Sequence, residues 1–369
     1  MDRYFMRVAL MLARRGMGRT NPNPMVGAVI VKDGRIIGQG CHERYGEAHA
    51  EVNAFDSAAE PVTGATMYVT LEPCSHFGKN PPCTDRIIRE GIKRVVVAAI
   101  DPNPLVAGQG IRQLEEAGIE VSVGLLEKES QRMNEVFMSY IVDRIPFVVM
   151  KCGMSLDGKV ATTAGESQWI TCRESRKQVH ELRNQLASVM VGVGTVIADD
   201  PSLTCRIPDG LNPLRVIIDS KLRIPLDAKV LKDQDTAKTV VFTTPAKDTE
   251  KAEILKKMGV EVITVGTYEG RVDLKEAVAE LGKQRIDSVL LEGGPTLNFS
   301  ALEQGIVDKA MFYVAPVLIG GQEAKTAVEG KGFPGLSDSV GLKNIYAEQI
   351  GDDLLIQGYI SERAVKWSS

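Results

Sequence analysis

His49-Ala50-Glu51, Pro73-Cys74 and Pro81-Pro82-Cys83 are the stretches of this chain whose residue types could do chemistry together. One imidazole and two thiolates can hold zinc in a tetrahedron and leave the fourth position for water. A glutamate two residues from the histidine could move that water's protons. Such an inventory suits hydrolytic removal of an amine from a heterocyclic ring. Taken singly, each residue has a plainer reading, since free cysteine is often a small core residue and His-x-Glu is common on solvated helices. The three stretches together, in the strand-to-helix contexts the chemistry needs, favour the metal.

Ligands that converge on one ion must come from different elements, and the hydropathy pattern provides them. Residues 4–15 read as an amphipathic helix, and 25–32 and 35–42 as strands joined at Asp33-Gly34, a strong two-residue hairpin signal. A helix is expected from about His49, a strand over 67–73 and a short helix over 83–91 stopped by Gly91. His49 and Cys83 then sit at helix starts, where unpaired N–H groups and the positive dipole end lower a thiol's pKa. Pro73 and Pro82 fix the backbone entering each cysteine. A strand over 94–100, a helix over 109–117, the strand IEVSVG and one long helix over 127–143 follow. Strands alternating with helices imply a layered α/β domain.

Arg144-Ile145-Pro146 interrupts this series, and a second one opens at FVVMKCG. Its apolar runs include SVMVGV, LRVIIDS, TVVFTT, VEVITVG, DSVLLEGG, MFYVAPVLIG and DDLLIQGYI. The expected domains are therefore residues 1–145 and 146–369. LLEGGPTLN reads as strand, glycine turn and helix start, where backbone N–H groups can approach a phosphate. It is not the GxGxxG fingerprint, and a structural turn explains it equally well.

With 369 residues, 44% hydrophobic and 25% charged, the chain is an ordinary globular protein of one or two domains. A net charge of −4 argues against a surface built for polyanions. No apolar run approaches the roughly 18 residues of a membrane span, and the N-terminus lacks the pattern of a signal peptide. The expected location is cytoplasmic, with reduced thiols. Cys41, Cys152, Cys172 and Cys205 are expected to be structural, and His180 to face solvent in mid-helix.

TNPNPMVGAVIVKDG, YGEAHAEVNA, TLEPCSHFGKNPPCTD and AIDPNPLVAGQGI resemble the deaminase half of the bifunctional riboflavin biosynthesis proteins. KCGMSLDGKVAT, GESQWIT, VGVGTVIADDPSLTCR and LEGGPTLN resemble the reductase half of the same family, so the likeness spans essentially the whole chain. It implies a three-layer cytidine-deaminase-like domain followed by a dihydrofolate-reductase-like domain, with zinc and NADPH as cofactors. The expected reactions are deamination of 2,5-diamino-6-ribosylamino-4(3H)-pyrimidinone 5′-phosphate and reduction of its ribosyl group to ribityl.

By that resemblance His49, Cys74 and Cys83 bind zinc and Glu51 shuttles protons. Asn23, His42, His76, Lys79, Asp101 and Asn103 line the first substrate pocket. The residues SHFGKNPP between the cysteines bring His76 and Lys79, types suited to a phosphate. The plain alternative for Asn23, Asp101 and Asn103 is turn chemistry beside prolines. In the second half, Gly153, Trp169, Thr195, Asp199, Ser220 and the stretch Gly294, Pro295, Thr296, Leu297, Asn298, Phe299 and Ser300 are implied to contact NADPH. Ser167, Arg183, Leu203, Arg206 and Glu292 are implied to contact substrate. Lys151, at the end of the first strand, is expected to face the sugar with Glu292 and to take part in the chemistry. Arg183 and Arg206 are candidate phosphate clamps, and Lys221 and Arg223 candidate readers of the 2′-phosphate of NADPH. The partners implied are phosphorylated pyrimidines and further copies of the chain, without nucleic acid or membrane.

Two rivals differ in class. A nucleic-acid base deaminase is disfavoured by the acidic balance and by the insertion between the cysteines. A purely structural zinc module is disfavoured by Glu51 and the open fourth position.

Overall fold

The computed structural model describes residues 1–77, 81–103 and 106–368, so Lys79 lies outside the described residues. The chain forms two compact units, one of residues 1–143 with Trp367 and Ser368, the other of residues 144–366.

The first unit runs α1 (Asp2–Ala13), β1 (Gly27–Lys32), β2 (Arg35–Cys41), α2 (Ala50–Asp56), β3 (Thr66–Leu71), α3 (Cys83–Arg89), β4 (Arg94–Ala99), α4 (Gln109–Glu116), β5 (Glu120–Val123), α5 (Glu127–Met133) and α6 (Glu135–Asp143). Asp33 and Gly34 both take positive φ, 50° and 75°, as the tight turn between β1 and β2 demands. The five strands form one sheet in the order β2-β1-β3-β4-β5. The β1 pairings are antiparallel, whereas β3, β4 and β5 run parallel.

Period-2 alternation divides the core of this unit. Ala28, Ile30, Met67, Val69, Val95 and Val97 pack beneath α2, α3 and α4 through Ala54, Ile87 and Leu114. Val29, Val31, Tyr68, Val96 and Ala98 pack on the other face against Phe5, Met6 and Ala9 of α1. The result is a three-layer sandwich. The single helix expected over 127–143 is instead two, broken at Asn134. The Asn134 side chain accepts from Met25 N at 2.8 Å and donates to Met25 O at 2.9 Å, so the break serves a tertiary clasp. Trp367 packs with Leu71, Ala99, Phe137 and Met138.

The second unit runs β6 (Phe147–Ser155), α7 (Arg173–Gln185), β7 (Ser188–Gly192), α8 (Val193–Asp199), β8 (Leu214–Ile218), β9 (Thr239–Thr243), α9 (Thr249–Lys257), β10 (Glu261–Thr264), the short ribbon β11 (Thr267–Tyr268) and β12 (Arg271–Val272), α10 (Leu274–Lys283), β13 (Ser288–Gly293), α11 (Pro295–Glu303), β14 (Lys309–Ala315), β15 (Lys343–Ile350), β16 (Asp353–Tyr359) and α12 (Glu362–Val365). Its main sheet has the order β10-β9-β8-β7-β13-β6-β14-β16-β15. Pairing is parallel from β10 to β14 and antiparallel beyond it. The parallel strands are buried on both faces, with Val148, Met150, Val216, Phe242 and Leu291 on one and Val189, Val191, Ile217 and Val241 on the other. Edge strand β15 is almost wholly exposed, which is why no apolar run announced it.

Among the described residues, no helix is long and apolar enough to cross a membrane. Buried Asp308 ties the end of this unit to its centre. Its carboxylate accepts from Val148 N at 2.8 Å, Arg363 Nε at 2.7 Å and the Ser361 hydroxyl. Asp308→Ala leaves these donors unpaired and should lower the stability of the second unit by about 3–5 kcal/mol. The measurement is a denaturant midpoint. A midpoint unchanged from wild type refutes the role.

Candidate functional site

In the first unit the catalytic inventory collects at the C-terminal ends of strands and the starts of helices. His49 is the N-cap residue of α2, Cys74 follows β3, and Cys83 opens α3. His49 Nδ1 lies 3.5 Å from Cys74 Sγ and 3.4 Å from Cys83 Sγ, and the three ligand atoms are all within 4.8 Å of one another. The Cys83 N–H donates to Cys74 Sγ at 3.4 Å, as a helix start supplies.

The electrostatics fit a dication. Hydrogen bonds from Cys83 and then His49 bring the Cys74 thiol down to about 4, so it stands as a thiolate at neutral pH. Cys83 is pushed up by its hydrogen bond to Cys74 and by burial, so the pair shares one negative charge. Glu51, only 4% exposed, is pushed up to about 7 by burial and then by the charge on Cys74. His49 is raised by its hydrogen bond to Cys74. A thiolate and a carboxyl buried together, with only the His49 imidazole beside them as a possible cation among the described residues, are what a zinc ion of charge +2 compensates, and S, S and N are its preferred donors.

A cleft of about 290 Å³ opens on this cluster and is lined by Asn23, His42, His49, Glu51, Cys74, His76, Asp101 and Asn103. Every first-half residue expected at the site is thus brought to it, Cys83 as part of the metal-ligand cluster, except Lys79, which lies outside the described residues. His42 Nδ1 meets Ala48 O at 3.0 Å, and its Nε2 meets Asn23 Nδ2 at 3.2 Å. These partners suit a neutral ring protonated on Nδ1, and burial lowers its pKa accordingly. Asp101 is pushed up to about 6, chiefly by burial. Turn chemistry is present too, since Asp101 Oδ1 accepts from Asn103 N at 2.9 Å.

Sequence reasoning missed Glu72, which lines the same cleft and is 4% exposed. The available signal was an acidic residue ending the otherwise apolar strand MYVTL.

In the second unit Lys151 and Gly153 lie on β6 beside Met311 and Tyr313 of β14. Glu292, near the end of β13, is gripped by Arg183 of α7 through Nε at 2.6 Å and the terminal nitrogen at 2.8 Å. Arg183 also donates to Thr204 O at 3.0 Å. Burial pushes Glu292 up, but the Arg183 charge and its hydrogen bonds outweigh it and bring the carboxyl down to about 2, with Lys151 adding to the effect. Arg206 is exposed. His180, expected in solvent, is half-buried, and Cys205 Sγ donates to its carbonyl at 3.4 Å. Burial and then the Arg183 and Arg206 charges lower the pKa of His180.

Thr195 Oγ1 donates to Gly293 O at 2.9 Å, and a Cβ on Gly294 would stand 2.9 Å from that hydroxyl. Gly294 has a φ of 126° and is followed by Pro295 at the first position of α11. Leu297, Asn298 and Phe299 are buried, so the stretch 294–300 offers a ligand mainly its helix-start backbone. Leu203 is likewise buried, at 2% exposed. Ser167 Oγ reaches Asp199 Oδ1 at 3.5 Å, and Ser220 Oγ accepts from Val272 N at 3.1 Å. Trp169 is 67% exposed with the Arg176 guanidinium 4.6 Å from its ring centre. Lys221 and Arg223 are exposed just beyond β8.

A zinc deaminase fold followed by a parallel-sheet reductase fold defines the class of protein. Residues 1–99 match the cytidine and deoxycytidylate deaminase zinc-binding region, and residues 146–356 match the RibD C-terminal domain. Riboflavin biosynthesis protein RibD of Actinobacillus pleuropneumoniae is 47% identical over 355 residues, 96% of this chain and 94% of that protein. The Escherichia coli protein of the same name is 40% identical over 368 residues, covering 96% and 98%. Among solved structures, Acinetobacter baumannii RibD superposes with a TM-score of 0.87 at 38% identity, covering 98% of this chain and 99% of that one. A Thermotoga maritima structure, described as a diaminohydroxyphosphoribosylaminopyrimidine deaminase/5-amino-6-(5-phosphoribosylamino)uracil reductase, gives 0.84 at 37%, covering 98% and 99%.

The chain belongs to the RibD family of riboflavin biosynthesis proteins. It is a bifunctional enzyme, a zinc-dependent deaminase and an NADPH-dependent reductase.

The Glu292–Arg183 pair makes a prediction about acid. Because the folded pKa lies below the unfolded one, the pair's contribution is complete above about pH 4.5 and is lost as pH falls towards 2. Replacing both residues (Arg183→Met with Glu292→Leu) should flatten the stability–pH slope there by up to ~1.4 kcal/mol per pH unit. Acid titrations at fixed denaturant compare the two proteins, and identical slopes count against the pairing.

Proposed function

We propose that the first unit removes the exocyclic amine of 2,5-diamino-6-ribosylamino-4(3H)-pyrimidinone 5′-phosphate as ammonia. The second then reduces the ribosyl group to ribityl, giving 5-amino-6-(5-phosphoribitylamino)uracil. The observation that carries this reading is one cleft holding the His49, Cys74 and Cys83 cluster, Glu51 and a ring of polar side chains.

In this reading His49, Cys74 and Cys83 hold the zinc, which when bound supplies Lewis-acid activation of water. Glu51 would take one proton from the attacking water and give it to the ring nitrogen, then take the second from the newly added hydroxyl and give it to the amine, which leaves as ammonia while the C=O forms. Burial raises this carboxyl in the metal-free pocket, and the charge of bound zinc would favour the ionised form that first accepts the water's proton. Neutral His42, fixed by Ala48 O, orients the Asn23 amide towards the pyrimidine. Asp101 and Asn103 read the ring and ribose, and His76 and Lys79 meet the phosphate.

In the second unit bound NADPH would supply the hydride: the ribosylamine ring opens, its C1–O bond breaking to leave an imine, the freed oxygen takes a proton and the first carbon takes the hydride. Glu292, committed to Arg183 and held far below neutrality, is a poor proton donor. Its charge instead orients Lys151 and the sugar hydroxyls, and Lys151 supplies the proton. With Arg183 so occupied, Arg206 is the freer group for the phosphate. Gly153, Trp169, Thr195, Asp199, Ser220 and the start of α11 form the cofactor side, and Ser167 and Leu203 the substrate side. The domains divide near residue 145. The enzyme works in the cytoplasm as a homo-oligomer and binds no nucleic acid.

Two substitutions separate the halves. Glu51→Gln should slow ammonia release by about 10²- to 10⁴-fold while zinc stays at one per chain, as general acid–base loss predicts. Reduction of separately supplied deaminated substrate should be unchanged, and full ammonia release ends the proposal for Glu51. Lys151→Ala should cut single-turnover NADPH oxidation by a comparable ~10²-fold or more. An unchanged rate removes Lys151 from the chemistry.

A further inference from the structure

Glu72 is a buried carboxylate one residue before the Pro73-Cys74 turn, and the proton-transfer scheme above does not use it. Its backbone is fixed at the end of β3, where its N–H donates to Ala99 O at 2.9 Å. Its side chain turns towards the segment that follows β4. Oε2 accepts from Gly108 N at 3.0 Å and Asp101 N at 3.3 Å. Oε1 accepts from Gly110 N at 2.9 Å and Ile111 N at 3.4 Å.

Gly108, Gly110 and Ile111 are the N-cap, second and third residues of α4, whose N–H groups have no partner within the helix. A distant carboxylate therefore caps α4 where no side chain of its own does, and the negative charge meets the positive end of the helix dipole. The fit is close. A Cβ on Gly110 would stand 2.1 Å from Pro73 O, so only glycine lets α4 approach the zinc-ligand turn. At its other side, α4 is held by Gln113, which accepts from Thr84 Oγ1 at 2.7 Å and donates to Asp85 Oδ1 at 2.9 Å.

The same carboxylate thus joins two parts of the cleft. One is the turn that presents Cys74; the other is the segment carrying Asp101 and Asn103. We propose that Glu72 is a positioning residue of the deaminase, holding Asp101 and Asn103 in place so that they grip the substrate's ring and ribose beside the metal site. This rests on the reading of Asp101 and Asn103 as substrate-facing. Glu72 itself exchanges no proton with substrate.

The test uses the full-length holoenzyme with the diaminopyrimidine substrate. Glu72→Gln keeps the shape but turns an NH2 towards backbone N–H groups. The expected result is a deaminase KM raised about tenfold or more, the value of one charge-assisted hydrogen bond, with kcat held within about threefold. Zinc should remain at one per chain, and ribosyl reduction by the same protein should be unchanged. An unaltered KM overturns the proposal. So does a parallel loss of kcat and zinc, which would mean that Glu72 acts through Cys74.

Asp101→Ala, assayed alongside, separates the two layers of argument. If it raises KM and Glu72→Gln does not, Glu72 is dismissed alone. If neither moves KM, the segment's assignment to substrate falls as well. Should Glu72→Gln fail to fold, amide exchange in the wild-type enzyme decides. The N–H groups of Asp101, Gly108, Gly110 and Ile111 should exchange about a hundredfold more slowly than open-loop amides, and open-loop rates overturn the clasp.

Discussion

A concentration of negative charge in a dry pocket is the constraint on which the first unit turns. Cys74 is a thiolate, Glu51 is a carboxyl with almost no access to water, and neither has a lysine or arginine beside it in the described contacts. Burying such groups unpaired is costly, and the ordinary remedies are protonation or a metal. A dication satisfies the sulfurs and the imidazole together. It also shifts the balance at Glu51, because a nearby positive charge favours the ionised form against the desolvation that opposes it. The carboxyl's acid–base behaviour is therefore tied to metal occupancy, and a site that loses zinc loses its proton shuttle's tuning as well as its Lewis acid.

The fold meets this constraint by using strand ends. β3 and β4 are parallel neighbours, so their C-terminal ends open at the same edge of the sheet. Cys74 leaves one and Asp101 leaves the other, while α2 and α3 bring His49 and Cys83 with their first turns directed at the cluster. In the second unit Glu292 lies near the end of β13, whereas Lys151 sits midway along β6 and not at its end as expected. Lys151 on β6 and Glu292 on β13 come from adjacent parallel strands, and the turn into α11 follows at once. In open parallel sheets the space beyond the strand ends is where ligands bind, since loops there are free to vary while the strands stay fixed.

Much of this could be read from residue order. The zinc ligands stood out because proline-flanked cysteines and a His-x-Glu pair fell at expected strand-to-helix junctions. The parallel strands announced themselves as continuous apolar runs, and the Asp33-Gly34 hairpin by its turn residues. What stayed hidden depended on contacts between distant segments. Asn134 breaks a helix because its amide binds Met25, more than a hundred residues earlier, and no local pattern encodes that. β15 is exposed on both faces and lacks the alternation that marks a half-buried strand. His180 looked like part of a solvated helix face until the segment around Cys205 covered it. The reductase site rested on resemblance because glycine turns and scattered arginines have too many structural uses to identify a cofactor.

Glu51, Glu292 and Glu72 show how environment assigns function to one kind of side chain. Glu51 lies beside sulfur and apolar wall, and burial lifts it to about 7. Glu292 is only partly buried and faces the Arg183 fork, which holds it at about 2 and makes it a fixed charge. Glu72 faces neither a cation nor an open pocket wall alone but a row of backbone N–H groups at a helix start. Such a cradle engages both oxygens of the carboxylate with backbone donors. Composition counts the three as equivalent. Their separation into proton shuttle, fixed charge and clasp comes from what the fold places within hydrogen-bonding distance of each, which is how one sheet architecture can carry two unrelated reactions along a single chain.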